Sequence, residues 1–121
     1  MDFVFDNNIP IYIQLVDGLK ISIISGKIKS GERLPSVRDL ALQIKVNPNT
    51  VQKALAELEN LGLIYTERTN GKFVTEDMEL IEKLKREYAS NLVNKFITNM
   101  KELGIEEEDL GNYLNELKGE Q

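Results

Sequence analysis

Apolar residues recur every three to four positions through most of this chain, and the breaks between the stripes mark its elements. The first stripe is Ile11, Leu15, Leu19 and Ile23, with Val16 and Ile24 beside it. It predicts an amphipathic helix running to about Ser25. Pro10 suits its first turn, where an N–H would be unpaired anyway, and Gly26 can cap its end. Ser30-Gly31-Glu32 reads as a turn. Leu34-Pro35 reads as extended, because the residue before proline is kept out of the helical region.

Ser36 opens a second helix. Its hydroxyl can cap the N–H three residues on, where Asp39 completes a capping-box pattern, and Leu40, Ala41 and Ile44 form the inner face. Asn47-Pro48-Asn49-Thr50 is another start signal, with Asn47 as N-cap and Pro48 as first helical residue. Val51, Leu55, Leu58 and Leu61 make the buried stripe of this third helix, and Gly62 stops it. Two helices about three residues apart, the second freshly capped, are the sequence form of a helix-turn-helix. Leu63-Ile64-Tyr65-Thr66 and Lys72-Phe73-Val74-Thr75 then flank Asn70-Gly71, a pair that tolerates positive φ and signals a tight hairpin. That hairpin would be a wing. Beyond it Met78, Ile81, Leu84, Tyr88, Leu92, Phe96 and Met100 keep helical spacing up to Gly104, and Leu110, Leu114 and Leu117 mark a last short helix. The fold expected is mainly α with a small β-hairpin. A winged helix-turn-helix would occupy residues 1–76, and a two-helix dimerisation arm residues 77–121.

Composition narrows the chemistry. The chain has 121 residues, 41% of them hydrophobic and 29% charged, as in ordinary globular domains. It has no apolar run of membrane-spanning length, and Met1-Asp2-Phe3-Val4-Phe5-Asp6 has no leader pattern, so a cytoplasmic protein with no membrane partner is expected. Without cysteine or histidine, it can have no disulfide, thiolate metal site or cysteine nucleophile, and it lacks the commonest general base and metal ligand. No cluster of acid, base and nucleophile stands out, so no enzyme, cofactor or metal site is expected. Glu106-Glu107-Glu108-Asp109 reads as a solvated helix start, favourable to the helix dipole, in preference to a metal site.

The net charge of −5 argues at first against a polyanionic partner. Its distribution reverses that. Residues 77–121 carry six basic and eleven acidic side chains, whereas Lys27–Lys72 carries eight basic and five acidic. The acidity lies in the expected arm and the middle is mildly basic, which is what binding a polyanion requires. Recognition helices enter the major groove by their N-terminal end. Asn47, Asn49, Thr50, Gln52 and Lys53 occupy that end, with side chains suited to base edges and phosphates. Arg38, early on the preceding helix, suits a phosphate or a guanine. Arg68, Asn70, Gly71 and Lys72 would form a wing tip against backbone or minor groove. Singly, each has a plainer role: Ser36 and Asn47 as caps, Arg38, Lys53, Arg68 and Lys72 as solvated charges, Asn70-Gly71 as a turn. Their convergence on one surface favours double-stranded DNA, although some winged helices bind protein instead.

The same stretch resembles the DNA-binding domain of the GntR family of bacterial repressors, and most closely its short YtrA-like branch. The resemblance rests on Ile9-Pro10-Ile11-Tyr12 with Gln14, Ser25-Gly26, Gly31, and the run Arg33-Leu34-Pro35-Ser36-Val37-Arg38-Asp39-Leu40-Ala41. It continues through Val46-Asn47-Pro48-Asn49-Thr50-Val51, Ala54, Leu58, Gly62-Leu63-Ile64, and Gly71 with Phe73-Val74. It implies DNA contacts at Arg38, Asn47, Asn49, Thr50, Gln52 and Gly71. At Gln52 some relatives carry a base-reading arginine, and Pro48 replaces a side chain that contacts DNA in longer relatives. The branch further implies a repressor that dimerises through a short helical tail and often governs a transporter operon and its own gene. Here Ile81, Leu84, Tyr88, Leu92, Phe96, Leu110 and Leu114 would form that homodimer face, since too little chain follows to cover it. A two-fold dimer calls for a pseudo-palindromic operator. The tail is too short to enclose a ligand, so an effector would either fit the dimer interface or be absent.

Overall fold

A computed structural model describes residues 3–119; the outermost residues of the two expected domains (1, 2, 120 and 121) lie outside them. The order is α1 (Ile11–Ile24), α2 (Val37–Ile44), α3 (Pro48–Asn60), β1 (Ile64–Glu67), β2 (Gly71–Val74), α4 (Met78–Glu102) and α5 (Leu110–Leu117), the last preceded by a 3-10 turn at Glu107–Asp109. Contacts divide the chain into two compact units, Met1–Lys85 and Arg86–Gln121. The first turns of α4 therefore belong to the winged unit.

Within the first unit α1, α2 and α3 close over one core. Leu15 and Leu19 of α1, Leu40 of α2, and Val51, Leu55 and Leu58 of α3 are essentially inaccessible to solvent. Burying each such side chain contributes roughly 1.5–3 kcal/mol, which is why the helical spacing dictates this arrangement. Both caps form as expected. Ser36 Oγ accepts from the Asp39 N–H at 3.1 Å, and Asn47 Oδ1 from the Asn49 N–H at 2.8 Å.

Several details differ from the expectation. Pro10 sits one position early, as the extended residue before α1, and Ile11 is 43% exposed instead of buried. Leu61 is the C-cap of α3 and only packs partly against the core, whereas Ala54 fills the stripe completely. The turn between α2 and α3 is made by Lys45 in the left-handed region at φ 58°, its N–H bonded to the Ala41 carbonyl. Ile81, expected on the dimer face, is 5% exposed in the winged core, with Leu84 packed against that core. Side chains held there are not left for a partner.

The wing is an antiparallel hairpin that pairs Ile64 with Val74 and Glu67 with Gly71. Three residues, Arg68, Thr69 and Asn70, thus form its loop, and Gly71 already belongs to β2. The Asn70 N–H reaches the Glu67 carbonyl at 3.2 Å, and Gly71 follows at φ +102°. A turn closed by a positive-φ glycine is the bulged three-residue hairpin. Residues 32–34 run extended beside β2 through an isolated bridge: Leu34 N–H donates to the Lys72 carbonyl, Val74 N–H to that of Glu32, and Arg33 bridges to Phe73.

A candidate nucleic-acid interface

The surface expected to meet DNA has two parts, both on the winged unit. The first is the start of α3. Val51, Ala54, Leu55 and Leu58 turn inward, so helical spacing turns Asn49, Gln52 and Lys53 outward together. All three are exposed, as is Asn47, while Thr50 is half-buried. Asn47 keeps its cap, which leaves its amide N–H groups for another acceptor. Arg38 is exposed on the first turn of α2.

The second part is an open groove of about 380 Å³ between the wing and the start of α2. Arg33, Leu34, Pro35, Ser36, Val37, Thr66, Glu67, Arg68, Thr69, Gly71 and Lys72 line it. Four expected residues meet there: Ser36, Arg68, Gly71 and Lys72. Asn47, Asn49, Thr50, Gln52, Lys53, Arg38 and Asn70 do not line it.

Two expected contacts are otherwise engaged. Lys72 Nζ lies 3.1 Å from Glu59 Oε1 and 2.8 Å from Thr66 Oγ1, and Thr66 donates to the same Glu59 oxygen at 2.9 Å. The hydrogen bonds from Lys72 and then Thr66 hold the Glu59 carboxyl below its ordinary pKa. The triad ties both wing strands to the last turn of α3. Asn70 Nδ2 donates to Glu67 Oε2 at 3.1 Å, bracing the wing loop.

The sequence pattern missed Arg33, which is exposed in this groove. It also missed the packing of the N-terminal segment on α1. There Phe3 and Phe5 stack at 5.8 Å, and a side chain at Gly18 would strike the Phe3 ring.

In the second unit an apolar groove of about 390 Å³ lies between α4 and α5. Leu92, Val93, Phe96, Ile97, Leu110 and Leu114 line it. Four of these were expected on the dimer face; Val93 and Ile97 add to them, and Tyr88 is half-buried. Lys101 pairs with Glu107 at 3.2 Å in the acidic run. Among the described residues no acidic cluster is placed to hold a metal, and no helix is long and apolar enough to cross a membrane.

A profile of bacterial regulatory proteins of the gntR family matches residues 11–74, which takes in α1 through β2. The chain belongs to the GntR family. It is 36% identical over 113 residues to the HTH-type transcriptional repressor YtrA of Bacillus subtilis, covering 92% of this chain and 86% of the relative. It superposes on a GntR family transcriptional regulator from Listeria monocytogenes with a TM-score of 0.86 and 42% identity, covering 93% of this chain and 98% of the other. The DNA-binding domain of AraR, solved in complex with its operator, matches with a TM-score of 0.55 and 26% identity over 62% of this chain and 95% of that one. The mainly helical, winged architecture is thus a GntR fold, and the GntR match ends where the wing does.

Proposed function

We propose that this GntR regulator is a dimeric repressor that binds a pseudo-palindromic operator, reading bases with the start of α3 and gripping the backbone with Arg38 and the wing. The observation that carries this reading is the exposed polar face Asn49-Gln52-Lys53 behind the Asn47 cap, on a helix whose dipole favours phosphate at that end. The repressor name of YtrA and the operator-bound AraR domain support it. Ser36, Thr50, Arg68, Asn70, Gly71 and Lys72 complete the proposed contact set. The apolar groove of the arm supports a homodimer, with half-sites about one DNA turn apart. A transporter operon and the protein's own gene are the proposed targets, following the YtrA-like resemblance.

The test is binding to a random-sequence duplex at several salt concentrations, followed by selection of operators from a random library. A steep salt dependence is expected, with reduced affinity in Arg38→Ala and a changed preference at one operator position in Gln52→Ala. Failure to bind duplex even at low salt would sink the proposal.

A further inference from the structure

We propose that Arg33 contacts the DNA backbone, its guanidinium taking a phosphate in the groove between the wing and the start of α2. This rests on the DNA-binding reading above and adds a residue to which the helix-and-wing pattern assigns no contact.

Three observations converge on Arg33. Its backbone is fixed to the wing, for Arg33 bridges to Phe73 and the Leu34 N–H reaches the Lys72 carbonyl at 2.8 Å. Side chains alternate along a strand. Leu34 is 5% exposed in the core, so Arg33 projects from the opposite, outer face, where Tyr65 and Phe73 stack at 5.7 Å. On that face a residue's diagonal neighbour lies within reach of a long side chain, and here that neighbour is Gly71. Arg33 Nε lies 3.2 Å, and one terminal nitrogen 3.5 Å, from where a Cβ on Gly71 would be. The glycine that permits the bulge therefore also leaves the seat on which the guanidinium rests.

Among the described residues the groove has two exposed cations that no ion pair engages, Arg33 and Arg68, and Arg33 is the one seated against the wing backbone. Lys72 is already neutralised by Glu59 and only 23% exposed. The Glu67 carboxylate accepts from Asn70. Arg33 is exposed, and among the described residues no ion pair engages it. A guanidinium offers a planar fork that binds phosphate through two parallel hydrogen bonds. One held against the wing backbone loses less freedom when it does so. Lys72, tied to Glu59, orients the wing besides its proposed contact, and Arg33 adds a phosphate contact beside it.

The experiment measures the full chain against a random-sequence duplex across a range of salt concentrations. Arg33→Ala should weaken binding about tenfold at low salt and lower the log K against log salt slope by about 0.9, the release of one phosphate's counterion. Arg33→Gln, which keeps the stem and drops the charge, should change the slope equally, so a folding defect in the alanine variant does not decide the outcome. Arg33→Lys should keep the wild-type slope and lose a few-fold in affinity. Wild-type slope in both neutral variants, at any affinity, overturns the proposal and leaves the DNA-binding reading standing. A wild-type chain that binds no duplex overturns both.

Discussion

The two units treat their apolar residues in opposite ways. In Met1–Lys85, nine large side chains are essentially inaccessible, from Leu15 on α1 to Val74 on β2. In Arg86–Gln121 no described residue is buried, and Leu92, Leu103 and Leu117 are 67%, 74% and 87% exposed. Both show the same helical spacing of apolar positions. Periodicity therefore reports which residues share a face and leaves open what covers it. The winged unit covers its own faces, and the arm's groove is the surface offered to a second copy under the proposed function.

The largest effect should come from deleting the same atoms in each unit. Leu55→Ala removes a fully buried side chain and should lower unfolding stability by about 2–5 kcal/mol through lost transfer energy and the cavity left behind. Leu117→Ala removes a side chain that is 87% exposed and should change stability by less than about 0.5 kcal/mol. Urea denaturation of the two variants measures the contrast. Equal losses would mean that the arm has a covered core after all.

Next comes the arm's face itself. Phe96 lines the apolar groove, and Tyr88 lies two turns before it on α4. Replacing both with aspartate should shift sedimentation of the proposed dimer to monomer, weakening association by about thirtyfold or more. The variant's melting temperature should also stop rising with protein concentration. A pair of substitutions that leaves the dimer intact would refute the assignment of this face.

Smaller losses are expected at the helix starts. Ser36→Ala and Asn47→Ala each remove the oxygen that satisfies a backbone N–H, at about 1 kcal/mol apiece in denaturation. These starts were legible in the sequence because a cap is local, needing only the right side chain two or three residues ahead of its donor. The buried stripes of α1 to α3 were legible for the same reason. What escaped was non-local. Arg33 pairs with Phe73 and Lys72 with Glu59 only after the chain has folded back, and no spacing rule links such positions. The hairpin itself was legible from Asn70-Gly71, a pair that tolerates positive φ, whereas the register of Glu67 with Gly71 puts the positive φ on glycine alone. Ile81 fell on the arm's stripe by periodicity and in the winged core by contact. Lys45 carries no mark of its left-handed backbone, since glycine or asparagine is the usual signal there.

The smallest effect distinguishes packing from charge inside the winged unit. Glu59 holds Lys72 at 3.1 Å and Thr66 at 2.9 Å, and these bonds lower its pKa. A carboxylate whose folded pKa is depressed contributes stability above its unfolded value, roughly 4.3, and loses it as pH falls through the lower folded value. The side chain is 41% exposed, so solvent screening keeps the gain below about 1 kcal/mol. Glu59→Gln should therefore be slightly less stable than wild type at neutral pH, with the gap constant down to about pH 5 and closing below about pH 4. Added salt should shrink it as well. Thermal melts over pH and salt series check both trends. A gap that persists in acid would attribute the wing's attachment to the shape of the Glu59 side chain, and a gap as large as that of Leu55→Ala would overturn the contrast between a unit held by its core and a clamp that only orients the wing.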